Sequence, residues 1–102
     1  MKRHAFKMYL KPGYEVEYER RHNEIWPELQ KELKESGISD YSIYWDRESN
    51  YLFAFQMVDD SVPSHDPSPV LWKWWAYMAD IMDTNPDTSP VSVSLQEVFH
   101  MD

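Results

Sequence analysis

The chain of 102 residues has no cysteine, only two glycines and a shortage of positive charge. Without cysteine there is no disulfide, no thiolate metal ligand and no cysteine nucleophile, which suits a reducing compartment. Two glycines leave no material for a glycine-rich phosphate loop or a dinucleotide fingerprint. Ten Lys and Arg face 18 Asp and Glu, for a net charge of −8. That field repels nucleic acid, and the short run Arg20–Arg21–His22 lies among acids. No stretch of about 18 apolar residues exists, so no membrane span is expected. The first ten residues, MKRHAFKMYL, scatter charges among apolar side chains. A signal peptide needs an unbroken apolar stretch, so the cytoplasm is the expected location.

What the chain does have is aromatic side chains, 16% of residues, with five Trp and seven Tyr. They suit a core, an interface or a sugar site. The length fits one domain, residues 1–102, small enough to gain stability from a partner subunit. Residues 3–10 alternate as a strand, with Phe6, Met8 and Leu10 on one side. Pro12–Gly13 breaks that strand and opens a helix. Two helical pieces are expected, 13–22 and 24–35, with a corner at His22–Asn23 and Asn23 as N-cap. Pro27 then falls in a first turn, where its missing N–H is harmless, and Gly37 ends the second piece. Residues 40–46 and 51–58 read as strands joined by a turn at 47–50. Residues 59–69 carry three prolines and read as a loop. Residues 70–83 return to helical spacing, with Leu71, Trp74, Met78 and Ile81 on one stripe. A turn-rich linker at 84–90 precedes a last strand over 91–99, with Val91, Val93, Leu95 and Phe99 on one side.

The order β-α-β-β-α-β predicts an α+β, ferredoxin-like domain. Two helices can cover only one face of a four-stranded sheet. Yet residues 51–58 are apolar on both sides except for Gln56, and Tyr44 opposes Tyr41, Ile43 and Trp45. A solvated face would alternate cleanly with polar residues. The second face is therefore expected to be covered by another copy, giving a homodimer of face-packed sheets.

Five residues form the candidate site: His22, Tyr18, Tyr41, Trp74 and Trp75. An imidazole titrates near neutral pH and can move protons at working pH. Tyr18 lies one turn before His22 on the same helix face. Adjacent tryptophans point about 100° apart, so one packs inward while the other faces a rim or cleft. A flat indole offers a platform for the C–H face of a sugar. The bland alternatives are a solvated histidine and tryptophans that serve only the core or an interface. Asp59–Asp60 with His65–Asp66 lacks regular metal-ligand spacing.

The assembled segments resemble the L-rhamnose mutarotase family. The resemblance runs through the block 18–29 (YERRHNEIWPEL), residues 40–44 (DYSIY), Trp74–Trp75 with Tyr77–Met78, residues 85–91 (NPDTSPV) and residues 95–99 (LQEVF). These blocks span nearly the whole chain in order. The chain departs in loop 59–69, which is shorter and richer in proline, and at Trp45, where an aliphatic residue is expected. The resemblance implies a dimeric α+β barrel that interconverts sugar anomers without a cofactor. It implies His22 as proton donor and Tyr18, Tyr41, Trp74 and Trp75 as substrate contacts. His22 is then expected to act as acid on the ring oxygen and as base on reclosure. The second proton carrier is left open among Tyr18, Tyr41, an ordered water and a carboxylate. Two rivals share the fold: a cofactor-independent monooxygenase or haem-degrading protein, and a non-catalytic sugar-binding or dimerisation module.

Overall fold

The computed structural model describes residues 1–63 and 65–102. Ser64, within the expected loop 59–69, lies outside the described residues. Seven elements follow in order: β1 (Lys2–Tyr9), α1 (Glu15–Asn23), α2 (Pro27–Glu35), β2 (Ile38–Trp45), β3 (Tyr51–Val58), α3 (Pro69–Met78) and β4 (Ser92–Ser94). The strands form one antiparallel sheet in the order β2-β3-β1-β4. With α1 and α2 sharing the first helical connection, this is the expected ferredoxin-like β-α-β-β-α-β arrangement.

Local chemistry explains most boundaries. Pro27 occupies the first turn of α2, and Trp26 before it is held extended at φ −63, ψ 131. A residue preceding proline avoids the helical region, so the corner falls at 24–26. This corrects the expected corner at His22–Asn23: Asn23 is the last residue of α1, not the cap of α2. Gly37 follows α2 at φ 90, the left-handed position that glycine takes without strain. Ser68 caps α3 by accepting the Leu71 amide, with Pro69 in the first turn.

Two other expectations need correction. The helix over 70–83 stops at Met78. Its last residues turn away to pair with the end of β1. The Lys11 amide donates to the Ile81 carbonyl at 2.9 Å, and the Asp83 amide to the Tyr9 carbonyl at 3.0 Å. Those sheet-like bonds replace helical ones, yet Ile81 still reaches the core, fully buried. The last strand is also far shorter than 91–99. Only Ser92–Ser94 pairs with β1, followed by one bond from the Leu95 amide to Ala5. Beyond it, the strand pattern continues without a ladder among the described residues, and Val98 and Phe99 are exposed.

Directly opposed residues of an antiparallel ladder share a face. The helix-covered face therefore carries Met8 opposite Leu52, Phe6 opposite Ala54, and His4 opposite Gln56. Ile43 and Trp45 of β2 extend it. Leu29, Leu52, Met78 and Ile81 are the fully buried centre of the core. The other face carries Ala5 opposite Phe55, Lys7 opposite Phe53, and Tyr9 opposite Tyr51. Among the described residues no helix packs broadly against it: α2 packs on α3 and on β2. In β2 the register shifts between Ser39 and Ser42, with Asp40 in the left-handed region at φ 49. Such a bulge re-aims the neighbouring side chain. Tyr41 thereby turns toward the covered face, its ring edge-on to Phe6 with the centroids 6.2 Å apart.

Candidate active site

Helix α1 presents Tyr18 and His22 one turn apart. Their rings stack with centroids 4.2 Å apart and planes at 27°. The His22 Nδ1 lies 3.0 Å from the Tyr18 carbonyl oxygen. A carbonyl can only accept, so Nδ1 carries the hydrogen and a neutral ring leaves Nε2 as a bare acceptor. Trp74 of α3 meets the same imidazole edge-on, at 5.4 Å and 90°. His22 is thus held by a hydrogen bond, a stacked phenol and a perpendicular indole.

These three residues line a cavity of about 880 Å³ together with Tyr41 and Trp75. All five residues proposed from the sequence meet there. The size is within the range of small-molecule sites, about 300–1,000 Å³. The tandem tryptophans divide as their 100° offset predicts. Trp74 is buried in the core, while Trp75 is half-buried and packs edge-on against Trp72 nearer the surface. Among the described residues, no group of three or more His, Cys, Asp or Glu is placed to hold a metal ion.

The electrostatics follow from burial. Desolvation lowers the His22 pKa below its ordinary 6.5, partly offset by the bond to the Tyr18 carbonyl. The ring is therefore neutral at physiological pH. Burial raises the Tyr18 phenol far above its usual value, with the nearby Tyr41 phenol adding to the effect. Burial also pushes Tyr41 up to about 12. Tyr41 is 39% accessible where it lines the cavity. Both phenols stay protonated and can donate hydrogen bonds into the cavity.

Several supporting residues escaped the sequence reading of the site. Arg21, read there as part of a short basic run, is almost fully buried. Its Nη1 donates to the Tyr77 carbonyl and to Asp80 Oδ1, both at 2.8 Å, and its Nε donates to Glu17 at 2.7 Å. The guanidinium also sits 4.4 Å over the Tyr77 ring. This clamp fastens α1 to the end of α3 directly behind His22. The Arg20 and Arg21 guanidiniums in turn hold the Glu17 carboxyl down at about 2. Trp26 packs edge-on against Trp74 at 5.1 Å and stacks on Tyr77 at 5.6 Å. The only sequence signal for the clamp was the i, i+4 spacing of Glu17 and Arg21.

Comparison with known proteins agrees with this architecture. A family model described as L-rhamnose mutarotase matches residues 3–101. The chain is 64% identical to an L-rhamnose mutarotase of Bacteroides thetaiotaomicron over 104 residues, covering 100% of each chain. It is 60% identical to one of Phocaeicola vulgatus over 104 residues, again covering 100% of each. The crystal structure of an L-rhamnose mutarotase from Formosa agariphila matches with a TM-score of 0.91 at 50% identity, covering 100% of both chains. A match along nearly the full length, at such identity and on the same fold, means that this chain belongs to the L-rhamnose mutarotase family.

Proposed function

We propose that residues 1–102 act as one cytoplasmic mutarotase domain, paired with a second copy, that interconverts the α and β anomers of L-rhamnose. The observation that carries this reading is the neutral His22 ring, its Nδ1 hydrogen engaged and its Nε2 without a hydrogen-bond partner among the described residues, in the wall of an aromatic-lined cavity. Mutarotation needs one proton taken from the anomeric hydroxyl and one given to the ring oxygen. The bond between the anomeric carbon and the ring oxygen then breaks, the aldehyde turns its other face, and the ring recloses.

A neutral ring with a bare Nε2 favours the reverse of the order expected from sequence. On opening, Nε2 accepts the anomeric hydroxyl proton. On reclosure, the imidazolium donates that proton to the carbonyl oxygen, and this is its turn as proton donor. Tyr18 and Tyr41 donate hydrogen bonds to the sugar, and Trp74 and Trp75 give it flat apolar surface, which a methyl-bearing deoxysugar covers well. The chemistry consumes nothing and calls for no cofactor. The family match does not favour the monooxygenase and non-catalytic readings.

The second copy is supported by the open sheet face, where Phe53, Phe55 and Met57 of β3 adjoin Tyr44, Tyr51 and Val93. An apolar patch of this kind usually marks an interaction surface. A cytoplasmic setting suits a chain without cysteine.

The test is saturation-transfer NMR of anomer exchange on L-rhamnose. Wild-type protein should accelerate exchange well above the buffer rate. His22→Ala should lose about 10²–10⁴-fold with its circular dichroism unchanged, the size of a positioned proton transfer. Exchange at the buffer rate with wild-type protein overturns the function, and near wild-type exchange in the variant overturns the role of His22.

A further inference from the structure

We infer that the Tyr18 phenol is a catalytic acid that protonates the sugar ring oxygen while His22 takes the anomeric proton, so that the two stacked side chains work as one bifunctional pair. The inference rests on the mutarotase reading above and adds the missing half of its proton traffic.

The geometry selects Tyr18. The two oxygens that exchange protons are bonded to the same anomeric carbon. A donor and an acceptor acting on them together must therefore stand side by side, a few ångströms apart. Tyr18 and His22 do so: one helical turn separates them, and their rings run nearly parallel at 4.2 Å. Tyr18 is buried, yet among the described residues its hydroxyl has no hydrogen-bond partner, and the residue lines the cavity. The hydroxyl is not sealed off, so it keeps accessible surface at the cavity and can donate to a ligand or water there.

Other donors in the cavity fit less well. The Tyr41 ring rests edge-on against Phe6 and has no ring contact with His22. Indole N–H groups donate hydrogen bonds but do not ionise in this range. The Trp45 indole is in any case committed to Asn50 at 2.9 Å. Lys34 and Arg47 reach the lining from exposed positions, and Arg47 lies over the Trp45 ring.

The step balances. On opening, the anomeric O–H proton passes to Nε2 of His22 and a C=O bond forms at the anomeric carbon. The bond from that carbon to the ring oxygen breaks, and the Tyr18 hydroxyl proton passes to the departing oxygen. The aldehyde is then bracketed by an imidazolium and a phenolate, opposite charges on stacked neighbours that attract strongly away from bulk water. On reclosure the new hydroxyl returns its proton to the phenolate, its oxygen rebonds to carbon, and the imidazolium protonates the carbonyl oxygen. Both side chains end as they began. Burial keeps the phenol protonated in the resting site, so Tyr18 enters the step carrying its proton.

Tyr18→Phe keeps the ring and removes only the hydroxyl. In anomer-exchange NMR on L-rhamnose its kcat should fall about 10²-fold or more, while KM stays within about twofold. Tyr41→Phe should instead act mainly on KM. Wild-type kcat/KM should fall as pH drops through a midpoint below 6.5, where His22 becomes protonated and cannot accept. No alkaline loss should appear up to about pH 9, because the phenol acid remains protonated there. A proton inventory in mixed H₂O and D₂O should curve for wild type, with two protons in flight, and be linear for Tyr18→Phe.

A Tyr18→Phe variant that keeps wild-type kcat, or changes only KM, overturns the inference and leaves the mutarotase reading standing. A linear wild-type inventory does the same without recourse to any variant. Absence of wild-type exchange overturns both.

Discussion

On the helix side of the sheet, Leu52 is 1% and Ala54 3% exposed; on the opposite side, Tyr44 is 68% and Val93 43% exposed. Yet the two faces do not differ in hydrophobicity as that contrast suggests. The covered face contains the polar pair His4 and Gln56, whereas β3 presents only Tyr51, Phe53, Phe55 and Met57 to the open side. Composition therefore does not tell which face becomes the core. The helices decide, because α1, α2 and α3 all return to the same side. That side gains the cavity, since a cavity needs two layers with a gap between them, and its lining comes from α1, α2 and α3 on one side and β2 on the other. The open side has apolar area with no second layer, and each Å² covered by a partner would contribute about 25 cal/mol before the costs of association.

The strongest way to break this comparison is to shorten a side chain on each face. Leu52→Ala, at the centre of the covered face, should destabilise the fold by about 2–5 kcal/mol, because the packed core closes only partly around the loss. Thermal or denaturant unfolding measures it. A loss under about 1 kcal/mol would mean that Leu52 is not part of a close-packed core. The next largest effect belongs to the open face. Phe55→Glu should turn a dimer into a folded monomer, because an unpaired charge in an apolar interface is costly to bury. Sedimentation at micromolar concentration reads the assembly, and circular dichroism reads the fold. A variant that still sediments as a dimer, or wild-type protein that sediments as a monomer, removes the case for a second copy on this face.

The same contrast explains what was legible in the sequence. Strand β3 over 51–58 and the place of Pro27 and Gly37 were read correctly because each follows from local alternation or a fixed backbone preference. The end of α3 was not, because bonds from residues 81 and 83 to the tail of β1 compete with the helix, and only tertiary placement reveals them. The last strand was overextended because alternation over 91–99 looks the same whether its partner is in this chain or elsewhere. In the site, the five residues named from the sequence all line one cavity. The Arg21 clamp was invisible, since Tyr77 and Asp80 lie more than 50 residues away along the chain. The acceptor nitrogen of His22 was equally hidden, because a backbone carbonyl fixes the tautomer and no side-chain pattern encodes it.

The smallest expected effect tests the polar exception on the covered face. Gln56 is 8% exposed, its Nε2 lies 2.9 Å from His4 Nδ1, and its Oε1 is buried without a partner among the described residues. Such an amide gains one hydrogen bond and loses the hydration of the other group, and the two effects oppose each other at about 1 kcal/mol each. Gln56→Leu removes both at similar volume. His4 keeps access to water for the nitrogen that loses its partner, being only half-buried. The stability change should therefore stay within about 1 kcal/mol of zero. A loss as large as that of Leu52→Ala would show that the His4–Gln56 pair fixes the packing of this face. The helix side would then be a layer organised around a polar contact, and the difference between the two faces would lie in that pair as well as in the helices.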